Sequence, residues 1–189
     1  MYNRKASSKK SRPEEILKAL NIRPGQRIAD IGAGGGYFSM RFARAAGRSG
    51  EVCSVDTNEQ HLEYIRNEAS KNGLGNITTV RAEEGRSNLP DNHFDLIFFR
   101  NALHHIGDRP SYLKDLKSKL RTGGRIAAVE YKPGGSIFNF KRLFGHNIPK
   151  EKIIEEFNQA GFTKAEEFDF LPEQSFTIFS IRQTPPRRP

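Results

Sequence analysis

Residues 27–36 run from an apolar strand sequence, Arg27-Ile28-Ala29-Asp30-Ile31, straight into Gly32-Ala33-Gly34-Gly35-Gly36. The next stretch, Tyr37 to Ala46, has the pattern of a helix that stops near Gly47. Strand, glycine loop and helix in immediate succession form a compact device for pressing backbone against a ligand. Glycines allow the tight turn and remove the side chains that would block approach. The helix start adds N–H groups that no residue of the helix can satisfy.

The remaining pattern alternates in the same way. Ser11-Arg12-Pro13-Glu14 reads as a helix start, with Ser11 as N-cap and Ile16, Leu17 and Leu20 on one face. Glu51 to Val55 reads as a second strand ending at Asp56, and Asn58 to Lys71 as a helix stopped by Gly73. Ile77 to Val80 is a third strand. Phe94 to Phe99 is a fourth, apolar on both faces as a buried parallel strand must be. A helix over Ser111 to Leu120 precedes Gly123-Gly124 and a fifth strand, Arg125 to Tyr131. Pro149 to Ala160 is a helix with Pro149 at or near its first turn, and two last strands are expected near Lys164 to Phe170 and Ser175 to Arg182. Strands alternating with helices imply a mostly parallel sheet covered on both faces, an α/β fold. The last pair, with no helix between them, implies one antiparallel strand. Ligands of such open sheets lie beyond the carboxyl ends of the strands.

Composition limits the chemistry. Cys53 is the single cysteine, so an intramolecular disulfide and a multi-thiolate metal site are excluded. No apolar run is long enough to span a bilayer and no secretory leader is visible, so a cytoplasmic location is expected. The net charge is +9, and residues 1–12 and 182–189 carry eight of those charges without a single acid. Residues 1–12 therefore read as a basic flexible tail and 183–189 as a Pro/Arg-rich tail, flanking one domain over 13–182. Such tails can touch nucleic acid, but the nearly neutral body offers no basic track for it.

The glycine loop admits more than one nucleotide. A dinucleotide fingerprint would place a small residue at position 37, where this chain has Tyr37, and no Gly-Lys-Ser/Thr follows for a phosphate loop. Asp56, at the end of strand two, has the chemistry to accept hydrogen bonds from both hydroxyls of a ribose. It also stands where an acid could cap the following helix.

Together, Asp30-Ile31-Gly32-Ala33-Gly34-Gly35-Gly36, Asp56, Ala82-Glu83, Leu89-Pro90-Asp91-Asn92-His93-Phe94-Asp95, Asn101-Ala102-Leu103-His104-His105-Ile106 and Ala160-Gly161-Phe162 resemble the motifs of class I S-adenosylmethionine-dependent methyltransferases, in order. The resemblance covers about residues 13–182. It implies a Rossmann-like, doubly wound sheet of seven strands, one antiparallel, with S-adenosylmethionine as cofactor and a small-molecule acceptor as partner. It also implies roles: Gly32, Ala33, Gly34 and Gly36 approach the methionine part of the donor, and Asp30 supports the loop and the donor's amino group. Asp56, with Thr57 beside it, holds the ribose; Ala82 and Glu83 flank the adenine. Arg100 lies by the methionine end. Arg81 stands where many relatives carry an acid.

Methyl transfer from a sulfonium is chiefly a positioning task, and a base is needed only when the acceptor must lose a proton. His104 and His105, just past strand four, are the catalytic candidates, with His105 slightly preferred. Glu130 and Tyr131 are further wall candidates. The segment Gly134 to Asn147 mixes phenylalanines with basic residues, as a lid, an interface or a packed helix would. An Asn-Pro-Pro-Tyr-like motif is missing after strand four, which argues against the amino-methylating branch. Methylated carbon, oxygen and nitrogen all stay open, as do a donor-binding module without turnover and an RNA or protein acceptor reached through the tails.

Overall fold

The computed structural model describes residues 3, 8–83, 85–133 and 147–182. Seven strands form one sheet: β1 (Arg27–Ile31), β2 (Glu51–Asp56), β3 (Ile77–Arg81), β4 (Phe94–Arg100), β5 (Leu120–Tyr131), β6 (Phe162–Phe168) and β7 (Gln174–Ile181). Their spatial order is β3-β2-β1-β4-β5-β7-β6. The first five strands pair in parallel, and β7 is antiparallel to both β5 and β6. The order reverses between β1 and β4, which opens a crevice at the carboxyl ends of those strands.

Five helices cover the sheet: α1 (Pro13–Leu20), α2 (Tyr37–Ala46), α3 (Glu59–Lys71), α4 (Arg109–Lys119) and α5 (Lys150–Gln159). On one face, Ile16 and Leu20 of α1 and Phe38, Phe42 and Ala43 of α2 pack on Ile28, Leu96 and Phe98. On the other, Leu113 and Leu116 of α4 and Ile153 and Phe157 of α5 pack on Ala29, Ile97, Phe99 and Ala128. Leu96, Ile97, Phe98 and Phe99 are all fully buried, as their continuous apolar pattern requires. Strand alternation sends Asp30 and Arg100 toward the α1/α2 face and Glu130 toward the α4/α5 face. The two faces of the central strands therefore end in different charged groups.

Several element edges differ from the sequence reading for local reasons. Ser11 is not the N-cap of α1. Arg12 takes that position in a left-handed conformation with no side-chain cap, and the Ser11 hydroxyl instead accepts from Arg100 Nη2 at 2.9 Å. Leu120 keeps company with Leu113 and Leu116 in the core, but its backbone belongs to β5, paired with Phe94 ahead of a register shift. Pro149 is the N-cap of α5, at the edge of its first turn as expected. The sixth strand starts at Phe162, so its apolar anchor precedes the polar run Thr163 to Glu167. Residues 134–146 and 183–189, on which the lid and C-terminal tail expectations fall, lie outside the described residues, as do 1, 2 and 4–7. Within the N-terminal segment, Lys9–Ser11 forms a 3-10 turn with Ser11 buried, and Asn3 Nδ2 donates to the Gly35 carbonyl at 2.9 Å.

Candidate functional site

The loop after β1 is held from β2. Gly32 and Ala33 N–H groups both donate to the Val55 carbonyl, at 2.8 and 3.1 Å, and the Gly36 N–H closes a turn onto Ala33. Gly36 then occupies the N-cap position of α2. Gly32 has φ +73, and a Cβ built there would lie 2.5 Å from the Ala102 Cβ, so this glycine is demanded by packing. Gly34 has φ +53, and a Cβ there would meet nothing within 4 Å. One glycine thus lets two loops touch, while its neighbour borders open space.

Asp56 bonds directly to this loop. Its Oδ2 accepts from the Gly34 N–H at 2.8 Å, and its Oδ1 accepts from the Asn58 N–H at 2.9 Å with His61 Nδ1 at 3.3 Å. The cap of α3 is Asn58, whose side chain accepts from the Gln60 N–H. This answers the question left open about Asp56: it faces the glycine loop and does not cap the helix. A carboxylate offers about four lone-pair positions, so two ribose hydroxyls fit only if one of these three donors moves away. The His61 contact is the longest of them. Ala82 is half-buried, its N–H donating to the Asp56 carbonyl at 3.0 Å, while Thr57 and Glu83 are exposed and Glu83 bridges to Arg86.

Beneath the loop, on the α1/α2 side, Asp30 is buried and accepts from the Ser39 hydroxyl at 2.6 Å. Burial pushes its carboxyl up to about 6, the Ser39 hydrogen bond opposing and the charge of Asp56 adding to the rise. Arg100 lies nearby, its guanidinium 5.6 Å from the Phe38 ring centre. Burial lowers its proton affinity, while Tyr131, Asp30, Tyr37 and Glu130 pull the other way. The raised Asp30 value has a consequence for folding. Below the unfolded value of 3.8 both states are protonated, and above about 6 both are ionised, so the folded state carries the burial cost only at higher pH. Stability attributable to Asp30 therefore falls as pH rises from about 4 to about 6. Urea unfolding at pH 4.5 and pH 7 is expected to show this slope in the wild type and a shallower one in Asp30→Asn.

On the α4/α5 side, the fully buried Glu130 carboxylate gathers the loop after β4. Its Oε1 accepts from the Ala102 and Leu103 N–H groups, both at 2.7 Å, and its Oε2 lies 3.0 Å from His104 Nδ1. His105 is exposed, and its ring centre lies 4.1 Å from that of His104, tilted by 47°. Asn101, at φ +53, accepts from Gln174 Nε2 at 2.7 Å, which ties the same loop to β7.

Asp30, the glycine loop, Asp56, Thr57, Ala82, Arg100 and the two histidines thus converge on the carboxyl ends of β1, β2, β3 and β4, with Glu83 next along the chain. A surface hollow of about 450 Å³ beside Arg66, Ser70, Gly73 and Leu74 lies at the opposite end of the strands, by the start of β3. A family model for a methyltransferase domain matches residues 22–170. The chain belongs to the class I S-adenosylmethionine-dependent methyltransferases.

Two curated relatives of this family are similar over much of the chain. The ubiquinone/menaquinone biosynthesis C-methyltransferase UbiE of Ectopseudomonas mendocina is 33% identical over 146 residues, covering 71% of this chain and 57% of the relative. The UbiE of Shewanella sp. strain ANA-3 is 27% identical over 171 residues, 89% of this chain and 64% of the relative. The chain thus spans about three-fifths of the length of these relatives. Among solved structures, a SAM-dependent methyltransferase from Aquifex aeolicus superposes with a TM-score of 0.81 at 22% identity, covering 88% of both chains. The [4+2]-cyclase SpnF shares the fold with a TM-score of 0.75 at 14% identity, over 89% of this chain and 80% of that one.

The family's donor, S-adenosylmethionine, fits the residues present. Gly34 borders open space, and Asp56, bonded to the Gly34 N–H, brings a carboxylate suited to paired hydroxyls to the same loop. Sequence reasoning missed Ser39 under Asp30, Ser11 on Arg100 and Asn3 on Gly35. Ser39 carries no signal beyond a polar residue on a helix face. The other two are contacts over 89 and 32 residues of chain that no local pattern encodes. Among the described residues, no helix is long and apolar enough to cross a membrane.

Proposed function

We propose that this chain transfers a methyl group from S-adenosylmethionine to a small organic acceptor. The observation that carries the reading is the glycine loop, open beside Gly34 and bonded through the Gly34 N–H to the Asp56 carboxylate, within a chain of the methyltransferase family. When bound, the donor supplies an already activated methyl group on a positive sulfonium. The residues bind and orient. Gly32, Ala33, Gly34 and Gly36 shape the backbone cradle, Asp56 with Thr57 takes the ribose, and Ala82 and Glu83 border the adenine. Asp30 supports the loop at the amino end and Arg100 closes the methionine end.

The acceptor lies beyond the end of β4, next to the loop that carries His104 and His105. His104 and His105 are the candidates for the acceptor's proton: the nearly buried His104 ring is held by Glu130, and the exposed His105 beside it is slightly preferred. The names of the UbiE relatives direct the first trials to reduced quinones methylated on carbon. The nearly neutral body of the chain also suits a small neutral acceptor better than a nucleic acid.

The test is a screen with methyl-labelled S-adenosylmethionine against 1,4-naphthohydroquinone and hydroquinone kept reduced, ethanolamine and sarcosine. Labelled product from a quinol is the expected result. Labelled product from the amines alone would overturn carbon methylation. Tight donor binding with no product from any acceptor would favour a donor-binding module.

A further inference from the structure

Arg100 ends β4 and turns toward the α1/α2 face, the side on which Asp30 lies beneath the glycine loop. The two ends of that loop flank it. Asp30, just ahead of Gly32, and Tyr37, just after Gly36, both act on its charge, and the Phe38 ring centre lies 5.6 Å from the guanidinium carbon. Tyr131 and Glu130 act on it from the neighbouring strand. The guanidinium therefore sits beside the loop that cradles the donor.

A guanidinium keeps its charge at any working pH, so a half-buried one needs partners. Arg100 finds few within the protein. Its Nη2 donates to the Ser11 hydroxyl at 2.9 Å, and its buried Nε donates to nothing. Among the described residues, no acid forms an ion pair with it. The acid nearest in influence is already engaged: Asp30 accepts from the Ser39 hydroxyl at 2.6 Å, and burial pushes its carboxyl up to about 6. Arg100 as a whole keeps partial exposure, so a ligand can reach it.

S-adenosylmethionine carries one anionic group, the carboxylate of its methionine part. The reading above gives the ribose to Asp56 at the end of β2. That leaves the far side of the loop, by β4, to the methionine part, since β1 stands between β2 and β4. A carboxylate meeting a guanidinium makes charge-assisted hydrogen bonds, which are shorter and stronger than neutral ones.

We infer that Arg100 pairs with the carboxylate of the donor and that Ser11 is the residue that positions it. The inference rests on the donor-binding reading above and adds which side chain recognises which group. Ser11 is suited to the task. It is buried at the end of the 3-10 turn Lys9–Ser11, and its hydroxyl shares a hydrogen bond with the Ser8 hydroxyl at 2.9 Å. It also lies ahead of residues 22–170, the span matched by the family model. A turn outside that span thus holds a cation inside the donor site.

Calorimetric titration of the full chain with two thioethers reads the pairing. One is S-adenosylhomocysteine; the other is S-adenosyl-3-thiopropylamine, which lacks only the carboxylate. The wild type is expected to prefer the first by about 10- to 100-fold, the usual worth of hydrogen bonds to a charged group. Arg100→Gln is expected to erase most of that preference, with no fall in affinity for the amine. Arg100→Lys keeps the charge without the planar fork and should lie between, and it carries the comparison if Arg100→Gln does not fold. Ser11→Ala leaves the cation in place but unheld, and should cut the preference about threefold.

Equal affinity of the wild type for both thioethers would overturn the inference. So would an equal loss of both in the Arg100 variants, which would mark Arg100 as a support of the fold. An unchanged preference in Ser11→Ala would remove the positioning role of Ser11. If Arg100→Gln keeps its full affinity for S-adenosylhomocysteine while KM for the quinol rises, the cation serves the acceptor and the inference fails. Failure of the wild type to bind either thioether would sink the donor-binding reading and this pairing together, whereas binding of both with the same preference in every variant sinks the pairing alone.

Discussion

Gly32→Ala is expected to lower the stability of the protein by about 2–4 kcal/mol, from a left-handed backbone that resists a Cβ and a contact that cannot yield. For a chain of this size that is a fall in Tm of about 5–12 °C. The clash would be with Ala102, 2.5 Å from the new atom, and Ala102 is pinned from behind by its N–H bond to Glu130. Neither partner can retreat without breaking a buried hydrogen bond. The matching change at Gly34 is expected to behave differently. With nothing within 4 Å, Gly34→Ala costs only the backbone preference, about 1 kcal/mol. Its Cβ enters the space assigned to the donor, so affinity for S-adenosylmethionine should fall at least tenfold. Thermal unfolding and calorimetry on the two variants check the contrast. Equal loss of stability in both, with donor affinity intact in Gly34→Ala, would show that the open face of the loop is not the binding face.

The second large effect is at Asp56. Asp56→Ala is expected to weaken donor binding by about 1–3 kcal/mol, through loss of charge-assisted hydrogen bonds to the ribose. It also frees the Gly34 N–H and leaves His61 without its carboxylate neighbour at 3.3 Å. Asp56→Asn keeps one acceptor oxygen for the loop but loses the charge, so it should fall between wild type and alanine. Calorimetric titration with S-adenosylhomocysteine checks both. An affinity unchanged in Asp56→Ala would place the ribose elsewhere.

Much of this architecture was legible because it is written in local pattern. The unbroken run Leu96 to Phe99 could only be a strand buried on both faces, and all four side chains are fully buried. The glycine loop was legible for a related reason: left-handed turns and close approach need that residue type, and Gly32 meets both needs at once. Element edges were harder. Leu120 has the spacing of a helix residue and the burial of one, yet pairing with Phe94 takes its backbone into the sheet. Ser11 has the composition of a cap, but a buried guanidinium 89 residues away competes for its hydroxyl and wins.

At the site, the acids could be named but not their partners. Asp56 reads from sequence as a ribose ligand or a helix cap, and in the structure Asn58 takes the capping position. His104 and His105 were close on paper, with His105 slightly preferred. Their surroundings were not legible: Glu130, 26 residues along the chain from His104, is brought beside it by the β4–β5 pairing, while His105 is exposed. Spacing within one element is readable from sequence; a contact made by sheet register is not.

The central claim is that this loop and Asp56 bind S-adenosylmethionine. Calorimetry on the wild-type chain with S-adenosylmethionine, S-adenosylhomocysteine and NADH tests it most directly. The account predicts one-site binding of the first two, lost at least in part in Gly34→Ala and Asp56→Ala, and no binding of NADH. No heat with either sulfur ligand, or saturable binding of NADH in their place, would contradict it.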